Sequence, residues 1–288
     1  MTPLNTTCPS CKHDGAQIFY EMRGAPVNSV LIMDTREEAL SIPVGDMALA
    51  LCYQCGFVFN AAFDPAPQHY DSAKYEATQA FSRTINAFAK GQAQALIDRY
   101  TLRGKKVIEI GCGQGEFLTL ICEMGDNSGI GFDPAYRAEP LDSPAADRIQ
   151  FIADFYGPKY KDQRGDMVMC KMTLEHIDQT HEFISLVRES VGDSPETVVF
   201  FQIPNARWVL EGIAFYDVYY EHCSYFTLGS LARLFRSCGF DIDQLETVYD
   251  HQYLTIVARP APTSTAPALP QEDDLDAVIA AVERFKAH

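Results

Sequence analysis

Apolar residues recur along 81–100 at Phe81, Ile85, Phe88, Ala95, Leu96 and Tyr100. That spacing is close to the 3.6-residue period of a helix with one buried face. From Gly104 onward the pattern changes. Short apolar runs, KVIEI (106–110), SGIGF (128–132), IQFIA (149–153), DMVMCK (166–171) and TVVFFQI (197–203), alternate with helical spacing over 115–124, 181–190 and 228–237. Such an alternation predicts an α/β fold, a parallel sheet with helices on both faces. Two more runs, near 240–248 and 252–258, complete a seven-stranded, Rossmann-like sheet. The stretch YYEHCSYF (219–226) falls between the fifth strand and the next helix. That is the carboxyl end of the sheet, where open α/β folds bind ligands.

The flanking segments read differently. Residues 1–62 open with CPSC and close with CYQC, with only short apolar pieces at 30–33 and 47–51 between them. This is too little apolar surface to fold unaided. Cys8, Cys11, Cys52 and Cys55 match a four-cysteine structural zinc site, each pair a knuckle feeding one tetrahedral ion. A redox role fits less well, because neither pair opens a helix after a strand. The segment RPAPTSTAPALP (259–270) is a linker by composition, and a helical pattern comes after it. The expected organisation is a zinc-binding module (1–62), a helical lid or linker (63–103), the α/β domain (104–259), and a Pro/Ala-rich linker with a terminal helix (260–288).

Charge narrows the partners. The 288 residues carry 23 Lys and Arg against 39 Asp and Glu, a net charge of −16. That balance argues against binding nucleic acid or an anionic membrane surface, and leaves a small-molecule substrate. The N-terminus lacks a basic region followed by an apolar run, and no apolar stretch approaches the roughly 20 residues that span a bilayer. The expectation is a cytoplasmic protein. Its nine cysteines then serve as metal ligands and as buried thiols, the latter at Cys112, Cys122, Cys170, Cys223 and Cys238.

The sharpest local signal is VIEIGCGQGEF (107–117), a strand running into Gly111, Gly113 and Gly115 and then a helix. Glycines let the backbone approach a ligand, and a helix N-terminus offers unpaired N–H groups. Five residues after Gly111 stands Glu116, so the dinucleotide pattern GxGxxG fails. Glu109, just before the glycines, would repel a pyrophosphate. It favours a ligand with a carboxylate for the N–H groups and cationic groups nearby, such as S-adenosylmethionine. Asp133, at the end of the second strand, is placed to accept from ribose hydroxyls. Asp154 can accept from an adenine amino group, Phe155 can cover the ring, and Lys171 ends the fourth strand.

Glu109, the three glycines and Asp133 resemble class I S-adenosylmethionine-dependent methyltransferases over about residues 70–260. More narrowly, CPSC…CYQCGFVFN, HYDSAKY, VIEIGCGQGEFL, LEHI and YYEHCSYFT resemble nucleotide-sugar C-methyltransferases that carry a zinc-binding module. The resemblance implies that His222 is the general base, with Glu221 and Tyr219 beside it and Tyr75 or Tyr70 contributed by the lid. It also implies a nucleotide sugar as substrate and a role in sugar biosynthesis. Those enzymes continue into a second α/β domain, whereas this chain ends at His288, so that domain is expected to be missing or separate. They also tend to carry a glycine pair where this chain has Asp250–His251.

The chemistry can be argued from the residues as well. Methylating carbon beside a ketone requires removal of an α-proton and stabilisation of an enolate. Imidazole suits the first task and a tyrosine hydroxyl the second. The same histidine can instead take a hydroxyl or amine proton in transfer to oxygen or nitrogen. Aromatic clusters also serve as plain packing, and a non-catalytic scaffold built on the same fold is the third reading.

Overall fold

The computed structural model describes residues 4–68, 74, 75, 78, 80–264 and 266–288. His69 and Tyr70 of the HYDSAKY stretch lie outside the described residues. The chain runs β1 (Gln17–Pro26), α1 (Arg36–Ser41), β2 (Val44–Leu51), β3 (Val58–Asn60), α2 (Arg83–Tyr100), β4 (Lys106–Ile110), α3 (Glu116–Gly125), β5 (Ser128–Phe132), β6 (Ile149–Ile152), β7 (Met167–Lys171), α4 (Thr180–Val191), β8 (Val198–Pro204), α5 (Ala206–Gly212), β9 (Ser224–Tyr225), α6 (Leu228–Ser237), β10 (Phe240–Val248), β11 (Tyr253–Pro260) and α7 (Leu275–Lys286).

Among the described residues the larger sheet has seven strands in the order β10-β11-β8-β7-β4-β5-β6. The five from β4 to β8 are parallel, as their alternation with helices predicts. The sheet is not parallel throughout: β11 runs antiparallel to both β8 and β10. The reason is the connection. Tyr249, Asp250 and His251 all take positive φ, so β10 and β11 are joined by a tight turn with no crossover helix. A turn that short can only join antiparallel neighbours. Strand order reverses at β4, which has β5 on one side and β7 on the other. Its carboxyl end is therefore the crevice where open α/β sheets hold ligands.

A second sheet has the order β1-β2-β3-β9 and is antiparallel. Its last strand comes from the 219–226 stretch, pairing Tyr225 with Val58 and Ser224 with Phe59. This pairing answers the shortage of apolar surface in the N-terminal segment. Phe57 lies 4.7 Å from Phe226 between ring centroids and joins the same buried cluster as Ile108, Val199 and Phe235 of the larger unit.

The Pro/Ala-rich segment does not behave as composition suggests. Arg236 on α6 donates to the carbonyls of Ala266 and Pro267 and grips both oxygens of Glu272 at 2.8 Å. Asp274 accepts from the Gly229 N–H and from Arg233 at 2.8 Å each. A Cβ at Gly229 would lie 1.9 Å from Asp274, so only glycine permits this approach. Helix α7 then buries Val278, Ala281, Val282 and Phe285, with Phe285 edge-on to Phe19 and Tyr20 of β1. No helix among the described residues is long and apolar enough to cross a membrane.

Candidate active site

A cavity of about 1220 Å³ opens at the carboxyl end of β4 and runs from the glycine loop to the 219–225 stretch. Gly111, Gly113 and Gly115 all adopt positive φ. A Cβ at Gly111 would fall 2.0 Å from Thr173 Oγ1, and one at Gly115 2.3 Å from the Phe151 ring. The loop is thus tight against its own neighbours. Four of its backbone amides donate inside the fold. Gly111 and Cys112 N–H donate to the Phe132 carbonyl, Gly113 N–H to Asp133 Oδ2 at 2.8 Å, and Gly115 N–H to the Cys112 carbonyl. The close packing of β4 against β5 draws these donors inward.

Asp133 borders the cavity, its other oxygen accepting from Ala135 N–H at 2.8 Å, and burial raises its carboxyl above the usual range. Glu109 also borders the cavity. It is 2% exposed, and its Oε2 has no hydrogen-bond partner among the described residues. Burial lifts its carboxyl to about 8, opposed by the nearby Lys171 charge. Lys171 is itself lowered to about 8 by burial; its Nζ sits 3.3 Å from the Phe117 ring centroid and donates to Gln92 of α2 at 2.9 Å. Phe155 reaches the cavity wall, 63% exposed. Asp154 is not among the cavity residues: it pairs with Lys159 and accepts from Tyr160 Oη at 2.6 Å, which holds its carboxyl low.

The far wall gathers His222, Tyr219 and Tyr225. The His222 ring is edge-on to Tyr219 at 5.0 Å and to His176 at 5.0 Å. Burial and the His176 charge drive the His222 pKa well below 6.5, so its imidazole is neutral near pH 7. Tyr219 donates to Asp217 at 2.9 Å, and burial with that carboxylate lifts its phenol to about 12. Tyr75 is placed by a bridge to Leu31 and borders the same cavity; burial pushes its phenol up, with Glu221 adding to the effect. Glu221 does not orient His222. Its carboxylate accepts from Asn28 Nδ2 and Ser29 N–H at 2.9 Å and from the Ser29 hydroxyl.

The acid beside His222 is Glu175, which sequence reasoning did not single out. It is 2% exposed, neither carboxylate oxygen has a hydrogen-bond partner among the described residues, and burial raises it to about 8. It comes directly after β7 with His176, so its position in LEHI at a strand's carboxyl end was the available signal.

A match to the family described as Methyltransferase domain covers residues 85–245, more than half of the chain. The chain belongs to this methyltransferase family. C-methyltransferase NovU of Streptomyces niveus is 25% identical over 264 residues, 88% of this chain and 60% of NovU. The chain therefore spans about 60% of that relative's length. The mitochondrial ubiquinone biosynthesis O-methyltransferase of Schizosaccharomyces pombe is 27% identical over 123 residues, 41% of each chain. The solved N,N-8-amino-8-demethyl-D-riboflavin dimethyltransferase of Streptomyces davawensis superposes with a TM-score of 0.49 at 18% identity, over 62% of this chain and 56% of its own.

S-adenosylmethionine is the methyl donor expected of a methyltransferase domain, and the residues at the glycine-loop end of the cavity have chemistry that suits it. The unpartnered Glu109 oxygen suits the ligand's cationic groups, and Asp133 stands at the β5 terminus where ribose hydroxyls are held. The methyltransferase carries a second cluster outside the cavity. Sγ atoms of Cys8 and Cys55 are 3.7 Å apart and those of Cys11 and Cys52 3.6 Å, all four within 4.8 Å of one another. A tetrahedral zinc with bonds of about 2.3 Å holds its sulfurs ~3.8 Å apart, so the cluster fits such an ion. The two knuckles share one geometry: Lys12 and Gly56, each just past the second cysteine, take positive φ and donate to the carbonyls of Cys8 and Cys52 at 2.8 Å.

Proposed function

We propose that the protein C-methylates a nucleotide-linked keto sugar, with His222 as general base. The observation that carries this reading is a single cavity with Glu109 at one end and a neutral histidine flanked by tyrosines at the other. When bound, S-adenosylmethionine supplies an electrophilic methyl group and is left as a thioether. His222 takes the proton from the carbon beside the ketone and passes it to solvent. Tyr75, held as a neutral phenol by burial, offers a hydrogen bond to the enolate oxygen, and Tyr219 joins it only if its hydrogen bond to Asp217 is released. The name of the relative NovU supports transfer to carbon. Glu109, Asp133, Phe155 and Lys171 would line the donor's side; Asp154 joins them only if its pairing with Lys159 is released.

The four cysteines hold a structural zinc in this reading, and four thiolates leave no open position for a catalytic water. The zinc knuckle is tied to the catalytic unit by Arg233, which donates to the Cys55 carbonyl at 2.9 Å. Nine cysteines with no disulfide among them fit a reducing compartment such as the cytoplasm.

Transfer to oxygen is the second reading, favoured by the O-methyltransferase relative matched over 123 residues. Incubation with keto sugars in deuterated water separates the two. Deuterium entering the α-carbon, with methyl transfer to the same carbon, supports the first. Methyl found on oxygen removes it, since a committed transfer to carbon replaces the departing proton without exchange.

A further inference from the structure

We infer that Asp217 sets which acceptors the cavity takes, by fixing Tyr219 as a hydrogen-bond acceptor for an O–H or N–H group beside the reacting ketone. Asp217 ends the short 3-10 turn Phe215–Asp217 that follows α5 and, like Tyr219, borders the cavity. Tyr219 Oη donates to Asp217 Oδ1 at 2.9 Å, and Trp208 Nε1 on α5 donates to Oδ2 at 3.3 Å. Both oxygens of Asp217 are thus engaged, and the carboxylate is anchored from two sides. The Tyr219 backbone is held as well: its carbonyl accepts from Tyr225 Oη at 3.2 Å.

A phenol carries one proton and two lone pairs. With the proton committed to Asp217, what Tyr219 offers a ligand is the lone pairs. The carboxylate strengthens them, because a phenol that donates to an anion becomes a better acceptor in turn. Burial and the Asp217 hydrogen bond together raise the phenol to about 12, so it stays protonated near neutral pH. The ring stands edge-on to His222 at 5.0 Å, so the group it reads belongs near the carbon that His222 deprotonates.

This rests on the keto-sugar reading and deepens it by naming a feature of the acceptor. Tyr75 and Tyr219 act in opposite senses. Tyr75 donates to the enolate oxygen, and Tyr219 accepts from the neighbouring substituent. The substrate class is therefore an α-hydroxy or α-amino ketone. Asp217 is a positioning residue, since it acts through Tyr219.

The test uses three nucleotide-linked 4-keto-6-deoxy sugars that differ only at carbon 3, which bears a hydroxyl, an amino group or hydrogen alone. Methyl transfer is read with labelled S-adenosylmethionine. Wild type should favour a donor-bearing sugar over the 3-deoxy sugar by at least about tenfold in kcat/KM, and the better of the two names the substituent. Tyr219→Phe should remove that preference. Asp217→Ala should cut it to about threefold or less, and Asp217→Asn, whose amide oxygen still accepts from Tyr219, should keep the larger part. Calorimetry with S-adenosylmethionine checks that each variant is folded. A second readout needs no acceptor: carbon-13 resonance of tyrosines labelled at Cζ, with Tyr219 assigned by its loss in Tyr219→Phe. In Asp217→Ala the Tyr219 titration should move down from about 12 toward the ordinary range near 10. An unmoved titration, or a full preference surviving in Asp217→Ala, overturns the inference. Equal transfer to all three sugars by wild type overturns it too and leaves the keto-sugar reading standing. Transfer to none of them overturns that reading, and the tyrosine titration then decides the Asp217–Tyr219 assignment by itself.

Discussion

Replacing Glu109 by glutamine separates a binding role from a structural one. The side chain is 2% exposed and one oxygen lacks a partner, so the native fold gains little from its charge. Glutamine keeps the shape and removes the charge. If Glu109 receives the donor's cationic group, the lost charge-assisted contact is worth about 1.5–3 kcal/mol. That is an affinity loss of about 10- to 150-fold. The pH dependence adds a second signature. Folding raises this carboxyl from 4.5 to about 8, so between those values the folded state binds more protons than the unfolded one. Wild-type stability should therefore fall as pH rises through that window, and the variant should lack this part of the fall. Donor affinity should move the other way. Toward pH 8 Glu109 gains its negative charge while Lys171, also lowered to about 8, loses its positive one. Both changes favour a cationic ligand, each by at most about tenfold per pH unit. Titration calorimetry with S-adenosylmethionine, repeated across this range for both proteins, reads all of it, and urea unfolding supplies the stability. An unchanged donor affinity in Glu109→Gln, with a pH profile equal to wild type, would refute the reasoning.

Three further outcomes are expected. His222→Ala should lower methyl transfer by at least about 10²-fold, measured with labelled donor, while calorimetry shows donor affinity intact. Elemental analysis should find one zinc per chain, and stripping it should lower the thermal midpoint, because the Cys55 carbonyl and Phe57 tie the knuckles to α6 and Phe226. Phe285→Ala should cost about 3–5 kcal/mol in urea unfolding, since its ring is buried against Phe19 and Tyr20; a cost under about 1 kcal/mol would mean that α7 does not dock.

The parallel strands could be read from the chain because each is one unbroken apolar run, and their ends fall within one residue of the expected bounds. Direction could not be read this way. An apolar run is the same in either sense, and only the short turn at Tyr249–Asp250–His251 sets β10 and β11 antiparallel. Strand β9 has two residues, too few for any period, and its partner β3 lies far back in the chain. The 259–270 segment has the composition of a linker, but Arg233 and Arg236 on α6 hold Asp274 and Glu272 just beyond it, and ion pairs leave no periodic trace. The active-site wall shows the same limit at single-residue scale. Glu221 and His222 are neighbours in sequence, which invites the inference that one orients the other. Consecutive side chains leave the backbone in different directions, so Glu221 is bound by Asn28 and Ser29. The carboxyl group near the imidazole comes instead from Glu175, at the end of a separate strand. Adjacency along the chain places Glu221 at the same wall of the cavity as His222 and leaves the partners of its carboxylate unspecified. The consequence is physical: Glu221 couples the N-terminal loop to the cavity, whereas Glu175 is the buried carboxyl group that borders the cavity with His222.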